Sequence, residues 1–199
     1  MSVTRERFEQ GLTYDAYKAQ MTRNQERFAA NEQQLALAPA DAAAFKHLPQ
    51  PLDVLVIAED WCGDVINNLP ILGRIAAESG KLNLRVFLRD QNLDLIDQYL
   101  KQGKFRSIPV FVFFDDQFRE IGRFIERPNS VTERNEEYRQ KMYAGHPEFG
   151  SPDASISELP EEIRTALAEA TAEWREESKP LNNQDVVRSL RQIVEKVTA

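Results

Sequence analysis

Cysteine is almost missing from this chain: Cys62 is the only one in 199 residues. An internal disulfide is therefore impossible, a thiolate-rich metal cage cannot be built, and a reducing cytosol is the expected setting. Histidine is nearly as scarce. His47 and His146 have no partner at ligand spacing, which argues against a dedicated zinc site and against a histidine base serving Cys62. Basic residues are outnumbered, 25 Lys plus Arg against 32 Asp plus Glu for a formal net charge of −7. Sequence-independent phosphate binding needs clustered Lys and Arg, so nucleic acid is not an expected partner. Apolar runs never approach the roughly 18 residues needed to cross a bilayer. The start, Met1 to Gln10, intersperses Arg5, Glu6, Arg7 and Glu9 and has no signal-peptide stretch, so no membrane association is expected and the chain reads as cytoplasmic. Glycine-rich phosphate loops, internal repeats and low-complexity tracts are missing too. With 42% hydrophobic residues, 8 Gly and 10 Pro the chain is neither disordered nor fibrous, and it can bury a normal core.

What is present begins with helical spacing. Thr13 is positioned to cap a long amphipathic helix burying Tyr14, Tyr17, Met21, Phe28 and Leu35. Asp41 is the expected cap of a shorter helix that stops before Pro49 and Pro51. The pattern then switches. Leu52 to Ala58 is a compact run rich in β-branched residues, as expected of a strand covered on both faces. Val65, Leu69, Leu72 and Ala76 return to helical spacing and end at Gly80, and Leu82 to Arg89 alternates as a second strand. Asn92 is expected to cap a helix reaching Gly103, and Val110 to Phe114 and Phe118 to Ile125 are spaced as a hairpin around Asp115-Asp116-Gln117. Beyond Pro128 the chain turns polar, with a loop at Ser151, Pro152, Asp153, Ser155 and Ser157. One helical stripe then runs from Leu159 to Trp174 and another from Val186 to Val197. The result is an α/β chain in three segments: a helical extension over 1–49, a β-α-β-α-β-β core with a mixed four-stranded sheet over 50–128, and a second helical extension over 129–199.

A right-handed crossover places the helix N-terminus at the carboxyl end of the first strand, which is where chemistry is expected. That junction reads Glu59-Asp60-Trp61-Cys62-Gly63-Asp64-Val65. The helix dipole and unpaired N–H groups favour a thiolate at Cys62, while Glu59, Asp60 and Asp64 oppose one. Two readings of Cys62 stay open: a nucleophile, or a small buried hydrophobe. Asp60 and Asp64 read first as helix-start carboxylates rather than as a cation site.

These residues resemble the thioredoxin family. Trp61-Cys62-Gly63, with Pro70 eight positions after the cysteine, is similar to the family's active-site helix. Arg106-Ser107-Ile108-Pro109 is similar to the family's cis-proline loop, and Gly122 matches a glycine of its closing hairpin. The Glu-Asp-Trp-Cys-Gly-Asp run behind a helical extension more narrowly resembles bacterial thioredoxin-like proteins with a Trp-Cys-Gly-Asp motif. The resemblance implies a thioredoxin-like fold, a cis Pro109, and Cys62 as the reactive sulfur, with Trp61 shielding one side. It further implies that Ile108 and Pro109 pair with an extended substrate segment. The departures are equally informative. Val65 stands where the second cysteine would be, Asp64 replaces the intervening proline, and Val56 replaces the buried acid of the first strand. What the resemblance then leaves is monothiol exchange or redox sensing through a mixed disulfide, with a disulfide-bearing protein as partner, no bound cofactor or metal, and glutathione as external thiol. Arg106 is placed to offset the carboxylates or hold a glutathione carboxylate, or else lies on the surface. A thiol-inactive binding or adaptor module for a protein partner is the competing reading, and a Cys62–Cys62 disulfide dimer a third.

Overall fold

The structure, a computed structural model, describes residues 3–152 and 155–197; Asp153, expected in the polar loop, lies outside them. The chain forms two compact units, one running up to Arg127 and resuming at Val186, the other from Pro128 to Asp185. This division differs from the segments 1–49, 50–128 and 129–199. The N-terminal helices and the end of the chain share one hydrophobic cluster with the sheet, so they belong with it.

In the first unit, helix α1 (Arg5–Glu9) starts at Thr4, whose side chain accepts from Arg7 N–H, and buries Phe8 edge-on against Phe118. Leu12 then exchanges two backbone hydrogen bonds with Val86. Thr13 caps α2 (Tyr14–Gln20). The single helix expected from Thr13 to Leu35 is instead two, because α2 stops at Met21, Asn24 adopts a left-handed backbone (φ 56°), and α3 (Gln25–Gln34) starts afresh. The cause is a distant carboxylate. The N–H groups of Thr22 and Arg23 donate to Asp60, and Gln25 turns its side-chain amide onto the Met21 carbonyl. The apolar stripe survives the break, since its members all lie in or against the core. Helix α4 (Pro39–Lys46) begins at Ala38 with Pro39 in its first turn; Asp41, expected as the cap, sits inside that turn and pairs with Arg191 at 3.3 Å.

Strand β1 (Leu52–Ala58) is fully buried from Val54 onward. Helix α5 (Gly63–Ser79) follows, ending on Gly80 in the left-handed conformation. It carries Pro70 in its interior, and a proline there leaves the carbonyl four residues earlier without its N–H partner. That carbonyl belongs to buried Ile66, and Asn31 of α3 supplies the missing donor at 2.8 Å. Strand β2 (Leu82–Leu88) runs parallel to β1. The helix expected from Asn92 to Gly103 shrinks to α6 (Leu93–Ile96). Asn92 does not cap it: its side chain donates to Leu88 carbonyl and accepts from Arg7, and Gly103 turns the chain with φ 68° toward a bridge between Lys101 and Phe105.

Strand β3 (Val110–Phe114) pairs antiparallel with β1 and with β4 (Glu120–Ile125), giving the order β2-β1-β3-β4. This is the expected mixed sheet. The fourth strand begins at Glu120 rather than Phe118, because Asp115 accepts from the N–H groups of Gln117 and Arg119 and Phe118 takes a positive φ while stacking on Phe114. Gly122 has a packing reason: a Cβ there would lie 2.9 Å from Ile193 Cγ2.

The second unit contains α7 (Asn129–Gly145) and most of α8 (Glu161–Val194). Where two C-terminal helices are expected there is one, with Pro180 removing a backbone bond without ending it. Met142, Phe149 and Leu167 form this unit's small apolar cluster, and Tyr138 stacks on Trp174 while donating to Ala170 carbonyl. Asp185 accepts from Ser130 and Arg134. Among the described residues, no helix is long and apolar enough to cross a membrane.

Candidate active site

The carboxyl end of β1 delivers Glu59, Asp60 and Trp61 onto the start of α5, and Cys62 occupies the N-cap position of that helix. Its sulfur donates toward the Ile108 carbonyl at 3.5 Å, and the Ile108–Pro109 peptide is cis. The sheet brings these together: β3, which Pro109 precedes, lies directly beside β1. Cys62 is half-buried, Trp61 is exposed at 41%, and Gly63 is open to solvent. Val65, at the place of a second thiol, has no exposed surface, and Val56 is equally buried in β1.

The charge balance left open by the sequence now has a direction. Burial pushes the Cys62 thiol up; the N–H groups of Asp64 and Val65 favour its anion without closing a side-chain cap, and the charges of Asp64 and Glu126 oppose it. Burial thus favours the protonated thiol, the form that can donate to the Ile108 carbonyl.

Asp64 lies in the first turn of α5, as expected of a helix-start carboxylate, whereas Asp60 serves a different segment. Asp60 accepts from Thr22 and Arg23 N–H at 2.7 and 3.0 Å and from the Thr22 hydroxyl at 3.2 Å, and its own carbonyl accepts from Asn24. Burial works against its anion, but these donors prevail and hold its carboxyl below the usual range. The N-terminal helices are thus tied to the residue two positions before the cysteine. Asp60→Asn, which keeps the shape and removes the charge, is expected to cost about 1 kcal/mol at pH 7. A carboxyl whose native pKa is depressed stabilises the fold above its unfolded value and loses that contribution as pH falls through the native value. Urea titrations should accordingly show the gap between the two chains closing below about pH 4.

Asp64 pairs with Arg127 at 3.0 Å. Arg127 also holds Glu126 at 2.7 Å, and Lys101 binds the other oxygen of that carboxylate. Glu126 is fixed through its backbone as well, its N–H donating to Pro109 carbonyl at 2.7 Å and its carbonyl accepting from Asn68. Opposite, Arg89 lies 4.7 Å above the Trp61 ring and donates to the Arg106 carbonyl. Arg106 itself is exposed and engaged by Asp97 through two bonds of 2.6 and 2.8 Å. Buried Tyr17 has no hydrogen-bond partner for its hydroxyl among the described residues, and ionisation of that hydroxyl is opposed by burial and by Asp60, Glu59 and Cys62. Glu59 is buried and accepts from Asp90 N–H; burial pushes its carboxyl up.

Reading the sequence did not single out Arg127, Glu126, Lys101 or Arg89. For the first two a signal existed. Once the hairpin register pairs Val110 with Ile125, residues 126 and 127 must fall beside Pro109 and hence near Cys62.

A search of curated proteins gives no match. A 1.5 Å crystal structure of a protein of unknown function, PA1234 from Pseudomonas aeruginosa, is similar over 98% of both chains at 22% identity with a TM-score of 0.67. An HIV epitope-scaffold (4E10) is similar over 98% of both chains at 19% identity with a TM-score of 0.65. At such identities these likenesses speak to the fold alone. A family model described as thioredoxin matches residues 11–139, which takes in the helix pair α2 and α3, the whole sheet and the cysteine turn. The chain belongs to this thioredoxin family.

Proposed function

We propose that this protein is a monothiol member of the family, acting in thiol-disulfide exchange or redox sensing through mixed disulfides at Cys62. The carrying observation is the sulfur at a helix N-cap, 3.5 Å from the carbonyl of a cis Ile108–Pro109 peptide and next to exposed Trp61. In the reaction the Cys62 thiolate attacks one sulfur of a partner's disulfide, a new S–S bond forms, and the other sulfur leaves as a thiolate that takes a proton. A second, external thiol, for which glutathione is the simplest candidate, then attacks the mixed disulfide. Cys62 is released as a thiol and the partner retains a disulfide to the incoming thiol. Buried Val65 offers no internal thiol for that second step. In this reading the backbone of the cis-proline loop pairs with an extended segment of the partner.

A second reading has its own support. A thiol held protonated by burial suits a module that binds an extended partner without chemistry. Incubating the full chain with an excess of oxidised glutathione, then with disulfide-bearing peptides, separates the two. The exchange reading expects a mass increase of one glutathionyl group that disappears with Cys62→Ser and is reversed by added thiol. Peptide retention by Cys62→Ser with no adduct in the parent chain would establish the binding module instead.

A further inference from the structure

The ion-pair chain beside the thiol does more than tether loops. We propose that Arg127 is the positioning residue for the Cys62 thiolate and that Asp64, standing where the wider family has a proline, restrains it, so that the Asp64–Arg127 pair sets how reactive the sulfur is. The inference rests on the exchange reading of Cys62 and adds to it the device that governs the thiol.

Four observations carry it. Arg127 is held beside the sulfur by geometry: it pairs with Asp64, two positions after Cys62, and follows Glu126, whose N–H bonds the Pro109 carbonyl next to the Ile108 carbonyl that the sulfur faces, and a Cys62 anion favours its charge. Its terminal nitrogen is taken up by Asp64 at 3.0 Å and Glu126 at 2.7 Å, while its buried Nε has no hydrogen-bond partner among the described residues. An unmade donor inside a protein is costly, so a guanidinium kept in that state is suited to an acceptor that appears only in one step, here the thiolate. The resting sulfur spends its proton on the Ile108 carbonyl, a bond that ionisation destroys. The charge around it is otherwise balanced against an anion. Asp64 comes from α5, Glu126 follows β4 and is shared with Lys101, Glu59 and Asp60 lie on the turn before the cysteine, and the neutral Tyr17 hydroxyl comes from α2. Within this set Arg127 is the cation whose release changes the balance at the sulfur. A partner that neutralises Asp64 with a lysine or arginine beside its disulfide would free Arg127 for the thiolate as the sulfurs meet.

Because Cys62 is the only cysteine, thiolate absorbance near 240 nm, referenced to Cys62→Ser, reads its ionisation without needing access or exchange activity. In the full chain, Asp64→Asn is expected to move the midpoint of the thiolate titration down, a gain of about tenfold in thiolate at a given pH below the midpoint, and Arg127→Gln to move it up by a similar factor. Arg127→Lys, which keeps the charge and loses the fork, should fall between parent and Arg127→Gln. In the Arg127→Gln background the gain from Asp64→Asn should shrink to about threefold or less, since no cation remains to be released. Equal gains in both backgrounds would overturn the proposal and leave Asp64 acting through its own charge alone. Should Arg127→Gln fail to fold, the same comparison in Arg127→Lys decides, equal gains again counting against the release of a fork. The exchange reading fails separately, if the parent chain forms no mixed disulfide while these couplings stand.

Discussion

Gly73→Ala should lower stability by about 3 kcal/mol, although an alanine in a helix interior normally adds about 1 kcal/mol. The sign reverses because the Tyr14 ring of α2 lies against the bare backbone of α5. A Cβ at Gly73 would be 2.2 Å from the Tyr14 hydroxyl oxygen and 2.3 Å from Cζ. The ring is not free to swing aside. Its hydroxyl donates to Glu32 at 2.8 Å, the same carboxylate holds Lys18 at 3.2 Å, and burial together with the Glu32 charge keeps the phenol from ionising. Accommodating the methyl therefore means moving α2 or breaking a charge-assisted hydrogen bond, worth about 1.5–3 kcal/mol. Chemical denaturation of Gly73→Ala alone and with Tyr14→Ala provides the check. Truncating the ring should restore the ordinary small benefit of alanine; a Gly73→Ala chain at least as stable as the parent would show that α2 does not dock on α5 in this way.

The second large effect is expected at Asn31. Asn31→Ala removes the donor that satisfies the Ile66 carbonyl, which Pro70 has already deprived of its helical partner. A buried carbonyl left unpaired costs about 1–3 kcal/mol, and for a chain of this size 2 kcal/mol corresponds to a fall of about 4–8 °C in Tm. The coupling to Pro70 is what makes the prediction specific. In a Pro70→Ala background residue 70 regains an N–H, Ile66 regains its intrahelical bond, and losing Asn31 should matter much less. Thermal melts of the four chains of that cycle give the interaction directly, and additive losses would mean that Asn31 acts through packing alone.

Both effects place the N-terminal helices in the same role. They supply polar and aromatic groups to the back of the cysteine-bearing helix, while Asp60 ties their connecting turn to its front. A helix with a proline at Pro70 and a glycine at Gly73 has an unpaired carbonyl and a gap, and α2 and α3 fill them.

Much of this protein was legible residue by residue. The compact apolar run at Leu52–Ala58, the helix that Gly80 ends, and the hairpin at Asp115–Gln117 are local patterns whose physics acts within a few residues. They placed Cys62 at a strand-to-helix junction and Val65 where a second thiol would stand. The lone cysteine itself, and with it the exclusion of an intramolecular dithiol cycle, needs no structure at all. What failed to show locally was set by partners far along the chain. Apolar spacing alone continues a helix through Met21 to Asn24, yet the Asp60 carboxylate, 38 residues from Thr22, captures the N–H groups that such a helix would use. Likewise Asn92 has the chemistry of a cap, but Arg7 and the Leu88 carbonyl engage it first. The direction of the Cys62 ionisation was undecidable from sequence for the same reason. It depends on burial and on Glu126, which strand pairing carries to the thiol from 64 positions away, and on how Arg127 divides itself between carboxylates. Local propensity and spacing determined the elements and their order; only the tertiary structure decided which charges meet at the sulfur, because Coulomb and hydrogen-bond partners are chosen by distance in space rather than by distance along the chain.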